Sequence, residues 1–135
     1  MKIINPYRYK GEFLKGNLHT HSKNSPCGFY EPKKIVNMYT SYKMEYDFLA
    51  ITDHYKLTDI SEFNDRTDIL LIKGVEYKRK DHQTLGINIK EYDDNLDDDT
   101  NHQELFNKVD AEGGINIICH PHGTREDYWT LEELL

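Results

Sequence analysis

The chain has 135 residues, 30% charged and 37% hydrophobic, the size and composition of a single water-facing domain with one modest core. Its net charge of −7 argues against a general nucleic-acid-binding surface, yet leaves phosphorylated ligands open, because bound divalent cations invert the local charge of a site. Two cysteines make no disulfide framework, and the sequence shows neither an apolar leader nor a bilayer-length apolar run, so a reducing cytoplasm is the expected compartment.

Residues 1–15 read as a polar, tyrosine-bearing lead-in to a first strand at about 16–21. That strand carries Asn17-Leu18-His19-Thr20-His21-Ser22. Side chains at i and i+2 of a strand share a face, so His19 and His21 would aim two imidazoles at one point. The loop 22–29 holds Asn24, Pro26 and Gly28 and has turn chemistry throughout. A helix is expected from about Glu31, with Pro32 in its first turn and Ile35, Val36, Tyr39 and Tyr42 as its apolar stripe. The nearly continuous apolar run 46–52 predicts a strand buried on both faces, ending at Asp53-His54.

Residues 55–67 have room for one short helix, and 69–75 predicts a third strand ending at Glu76. His82 follows six residues later, and 84–89 is again strand-like. A parallel crossover needs about a dozen residues or more, so the third and fourth strands should be antiparallel. Such a hairpin would let Glu76 and His82 share a site. The acidic run 91–99 lacks the ligand order and glycine of a calcium loop and reads as solvated. Thr100 should open a helix, with Gln103 at the capping-box position, Leu105, Phe106 and Val109 on its inner face, and Gly113-Gly114 ending it. The run 115–119 predicts a fifth strand delivering His120-Pro121-His122. Thr130 and Glu133 make a second capping box, for a helix beginning at Leu131.

Strand–helix alternation with functional residues at successive strand ends is the layout of α/β barrels, whose sites gather at one rim. Imidazoles and carboxylates are ligands for zinc, manganese and iron, and a carboxylate such as Glu76 can bridge two ions. The four successive motifs Asn-Leu-His-Thr-His-Ser, Ile-Thr-Asp-His, Gly-Val-Glu followed by a histidine, and Cys-His-Pro-His together resemble those of the polymerase and histidinol phosphatase (PHP) family, in order over residues 17 to about 122.

The resemblance implies a distorted (β/α)7 TIM-like barrel and a metal-dependent phosphoesterase with two or three divalent ions at the strand C-terminal rim. Metal-bound hydroxide would attack phosphorus in a small phosphorylated substrate. It implies that His19, His21 and Glu76 bind a first metal, that Glu76 bridges to a second completed by His82 and His120, and that His54 serves a third. Asp53 would orient ligands or water, and His122 would contact substrate or protonate the leaving group.

The sequence departs from the family pattern twice. Where the family has a histidine or aspartate in the loop after His-x-His, this chain has Cys27, which is either a thiolate ligand or a loop thiol beside Gly28. The family's final Asp-x-His has no counterpart after residue 122. With the capping box at 130–133 closing two residues before the sequence stops, the chain reads as a single domain truncated at its C-terminus, with about five strands. The open barrel edge then predicts either a homo-oligomer that covers it or a longer chain. Lys78, Arg79 and Arg125 are candidates to contact a substrate phosphate. Two rival readings are a DNA-directed nuclease or polymerase-associated module, which the acidic charge disfavours, and a metal-binding fragment without turnover.

Overall fold

A computed structural model of the protein describes residues 10–79, 82–94, 102–121, 129–130 and 132. Strands β1 (Gly16–Asn17), β2 (Phe48–His54), β3 (Leu70–Arg79), β4 (His82–Ile87) and β5 (Ile115–Ile118) form one sheet in the order β1-β2-β3-β4-β5. β1, β2 and β3 run parallel, and β4 is antiparallel to both β3 and β5. The sheet curls into a half-barrel, with helices α1 (Pro32–Tyr39) and α2 (His102–Ala111) in the connections. The expected mixed α/β architecture and the antiparallel third and fourth strands are therefore present. Among the described residues, no helix is long and apolar enough to cross a membrane.

Strand alternation sorts the apolar residues into three packed groups. Leu49 and Ile51 of β2 meet Ile35 and Val36 of α1, with Ile60, Phe63 and Ile69 completing that group. Val75 and Tyr77 of β3 meet Leu105 and Val109 of α2. On the opposite, concave side, Ala50, Leu85, Ile87 and Cys119 pack together. β2 is thus buried on both sides, as its continuous apolar run requires. Helix α2 ends where the glycines stand. Gly113 adopts φ of +78°, and Gly114 N–H donates to Val109 O at 2.9 Å, closing the last turn.

Three boundaries differ from the sequence expectation in ways that matter for the site. Only Gly16–Asn17 of the expected first strand pair as a strand, because side chains take over the partners beyond. Asn17 Oδ1 accepts from His19 N–H at 3.0 Å, and Thr52 Oγ1 accepts from Thr20 N–H at 3.0 Å. β2 continues through Asp53 and His54, so both lie within the ladder. β3 runs past Glu76 to Arg79, and β4 already begins at His82, leaving only residues 80–81 between them. The expected start of α2 at Thr100 and most of the helix expected from Leu131 lie outside the described residues.

Candidate metal centre

The rim at the C-terminal ends of β2, β3 and β5 carries one buried carboxylate surrounded by imidazoles. Parallel register pairs His54 with Glu76, and paired residues of neighbouring strands share a face. His19 and His21 arrive from the segment after β1, held against β2. Thr52 N–H donates to Thr20 O at 2.8 Å, and Ser22 N–H donates to Asp53 Oδ1 at 2.6 Å. With Thr20 and Ser22 turned inward and buried, His19 and His21 project to the other side, as their i, i+2 spacing predicts. His120 follows β5 with φ of +53°, a left-handed conformation that costs a non-glycine residue free energy and aims its ring over the rim.

These donors converge on one oxygen. Glu76 Oε2 lies 2.8 Å from His19 Nε2, 2.9 Å from His21 Nε2 and 3.3 Å from His54 Nε2. Glu76 Oε1 lies 3.6 Å from His120 Nε2, and it is buried without a hydrogen-bond partner. The Glu76 side chain is only 2% exposed. Burial pushes its carboxyl up, but hydrogen bonds from His19 and His21, with the charges of His19 and His54, outweigh that and hold it well below the usual carboxylate range.

The far sides of two rings are already engaged. His54 Nδ1 stands 3.2 Å from Glu76 O, an acceptor only, so Nδ1–H donates there and, when the ring is neutral, the Nε2 lone pair faces the carboxylate. His21 Nδ1 stands 3.0 Å from Ser25 Oγ, and the tautomer that donates to this hydroxyl presents Nε2 in the same way. When these rings are protonated at Nε2 they donate to Glu76; when those nitrogens carry lone pairs instead, lone pairs and carboxylate directed at one point repel each other unless a cation stands among them. An outer hydrogen bond that fixes a histidine's tautomer is the usual setting of a metal ligand. His19 Nε2 and His21 Nε2 lie 3.0 Å apart and 2.8 and 2.9 Å from Glu76 Oε2, closer than the edge of about 3.3 Å of a tetrahedral zinc shell with bonds of about 2.0 Å, so a small expansion would admit an ion.

Asp53 is fully buried and does not join this group. It accepts from Ser22 N–H at 2.6 Å, Ser22 Oγ–H at 2.7 Å and Thr58 Oγ1–H at 2.5 Å. It thereby fastens the His19–His21 segment to β2. Cys27, left open by the sequence, is brought to the site: its Sγ and one ring nitrogen each of His21 and His54 lie within 4.8 Å of one another. Lys78 is exposed on the same face as Glu76, one pleat farther out along β3.

His82 is a correction. Glu76 pairs with Leu85, so the β4 positions on its face are Leu85 and Gln83, and His82 falls on the other side with Thr84. Its ring packs there against Trp129, at 4.6 Å between centroids, and His102, at 5.3 Å. His122, Arg125 and the side chain of Arg79 lie outside the described residues. The residues that sequence reasoning missed are Ser22, Ser25 and Thr58. Ser25 Oγ also accepts from His54 N–H at 2.7 Å, so one hydroxyl ties two histidines together. The only signal of it in the sequence is turn chemistry in the loop. No protein-family model matches the chain, and a search of curated proteins yields no match.

Proposed function

We propose that the protein is a metal-dependent phosphoesterase whose half-barrel corresponds to the first five strands of a PHP-type barrel. The observation that carries this reading is the convergence of three imidazole nitrogens within 3.3 Å of one oxygen of a buried carboxylate. The donors fit divalent ions of the zinc, manganese and iron class. His19 and His21 with Glu76 Oε2 would hold one, and His120 with the unpartnered Glu76 Oε1 would hold a second. When bound, such ions act as Lewis acids toward a phosphoryl oxygen and lower the pKa of water.

The chain's own groups support that chemistry in three ways. Glu76 supplies charge at the point where two ions would otherwise repel. His54 and His21, fixed by Glu76 O and Ser25, keep their donor nitrogens aimed without rotamer search. Lys78, two residues beyond Glu76 on the same face of β3, is the candidate to contact a substrate phosphate. The acidic chain favours a small phosphorylated substrate over nucleic acid.

The test is turnover of para-nitrophenyl phosphate and bis-para-nitrophenyl phosphate with added manganese or zinc. Turnover that is lost in His19→Ala supports the reading. Bound metal with no hydrolysis of either ester would contradict it and support a metal-binding role without catalysis.

A further inference from the structure

We propose that Tyr55 makes the site selective for phosphate esters whose leaving alcohol carries an aromatic ring next to the ester oxygen, the phenol serving as the wall on which that ring stacks. The proposal deepens the phosphoesterase reading and takes from it only that a phosphate-type anion meets the metals at Glu76. Tyr55 directly follows His54, and its ring lies 5.7 Å from that imidazole between centroids, tilted by 35°. The same imidazole stacks on His21, at 4.8 Å and 22°. The three rings are thus linked in series, from the donor nitrogens around Glu76 out to Tyr55, which is 49% exposed.

The backbone at Tyr55 is left-handed, with φ of +57°. For a bulky side chain this conformation costs free energy that glycine or asparagine avoids. Bonds on either side hold the chain in it. His54 N–H donates to Ser25 Oγ at 2.7 Å, and Thr58 Oγ1 donates to Asp53 Oδ2 at 2.5 Å and accepts from Asn24 Nδ2 at 3.0 Å. Strain of this kind persists where the surroundings over-determine it, and it gathers at ligand sites. Packing does not account for the tyrosine, because Tyr55 belongs to none of the three apolar groups. A second open ring, Phe29, is 89% exposed and stands two residues after Cys27, whose Sγ lies within 4.8 Å of a His54 nitrogen. Both segments that border His54 therefore carry an open aromatic side chain, and such apolar surface beside a polar centre marks a place for a ligand.

An aromatic ring on the ester would pack on Tyr55 offset or edge-on, whereas a saturated ring of the same size would gain only the area it buries. The selectivity is therefore for aromatic character and not for bulk.

Titration calorimetry of the zinc-supplemented full chain with benzylphosphonate and cyclohexylmethylphosphonate tests this. The two anions match in charge and nearly in size, differ in whether the ring is aromatic, and are not hydrolysed. Benzylphosphonate should bind about three- to tenfold more tightly, the worth of one aromatic pair. Tyr55→Phe should keep that preference, whereas Tyr55→Leu and Tyr55→Asn should bring the affinity ratio to about one. Urea unfolding should find Tyr55→Asn no less stable than its parent, since asparagine accepts the left-handed backbone more readily. A clear loss of stability there would make the ring a packing group and overturn the proposal. Equal affinity for the two phosphonates, a preference that survives Tyr55→Leu, or binding of neither would overturn it as well. A ring preference in binding without turnover of benzyl phosphate would leave it standing and count against the phosphoesterase reading alone.

Discussion

The two faces of the β3–β4 hairpin carry histidines in opposite circumstances. On the concave face, Glu76 sits among His19, His21, His54 and His120, with donor nitrogens aimed at carboxylate oxygens. On the convex face, His82 meets Trp129 edge-on and His102 meets it at a tilt, centroids 4.6 and 4.7 Å from the indole, at the end of the α2 packing. Both groups lie near the same rim. What separates them is strand parity: Leu85 is the partner of Glu76, and His82 is an odd number of positions away. A histidine near a rim is therefore no ligand unless it also falls on the right side of the pleat.

The comparison breaks most visibly if the central carboxylate is removed. Glu76→Gln should lower metal affinity by more than about 100-fold and reduce phosphatase turnover to background, as measured by elemental analysis and a para-nitrophenyl phosphate assay. A smaller effect is expected from Asp53→Asn, which leaves the ligands in place but loosens the Ser22 and Thr58 bonds. We expect about a tenfold loss of metal affinity, together with a loss of about 1–3 kcal/mol in urea unfolding. A variant that lost stability but held metal unchanged would remove Asp53 from the account of the site.

The convex face should respond in the opposite sense. His82→Ala should leave metal content and turnover unchanged and cost about 1 kcal/mol of stability through lost packing on Trp129. Loss of metal in that variant would place His82 back in the site. The two thiols give the mildest contrast. Cys119 is buried, and burial with the Glu76 charge beside it pushes its thiol up to about 12. At pH 8 only about one part in ten thousand of Cys119 would be thiolate, so the metal-free folded protein should take up one equivalent of an alkylating reagent, at Cys27. Peptide mass mapping would locate it.

How much of this was legible in the sequence follows the same physics. His19 and His21 could be placed on one side from spacing alone, because a local extended backbone settles it. His54 and Glu76 could be placed near each other as ends of consecutive parallel strands. The side on which His82 falls could not. It depends on whether the ladder ends at Val75 or runs to Arg79, and apolar periodicity does not resolve that two-residue connection at 80–81. Cys27 stayed undecided for a different reason. Its position is set by the approach of Gly28 to Ser22 O, a contact between backbone atoms that leaves only a glycine as its trace. The half-barrel itself was readable in outline, since alternating apolar runs and short connections dictate strand order more firmly than strand ends.

The central claim is that the buried carboxylate and its imidazoles are a metal site. Elemental analysis of the purified protein, set beside Glu76→Gln prepared identically, tests it most directly. The account predicts at least two zinc, manganese or iron ions per chain in the unmodified protein and at most a trace in the variant. A folded protein that holds no metal after incubation with zinc or manganese, or a Glu76→Gln variant that holds as much as its parent, would contradict it.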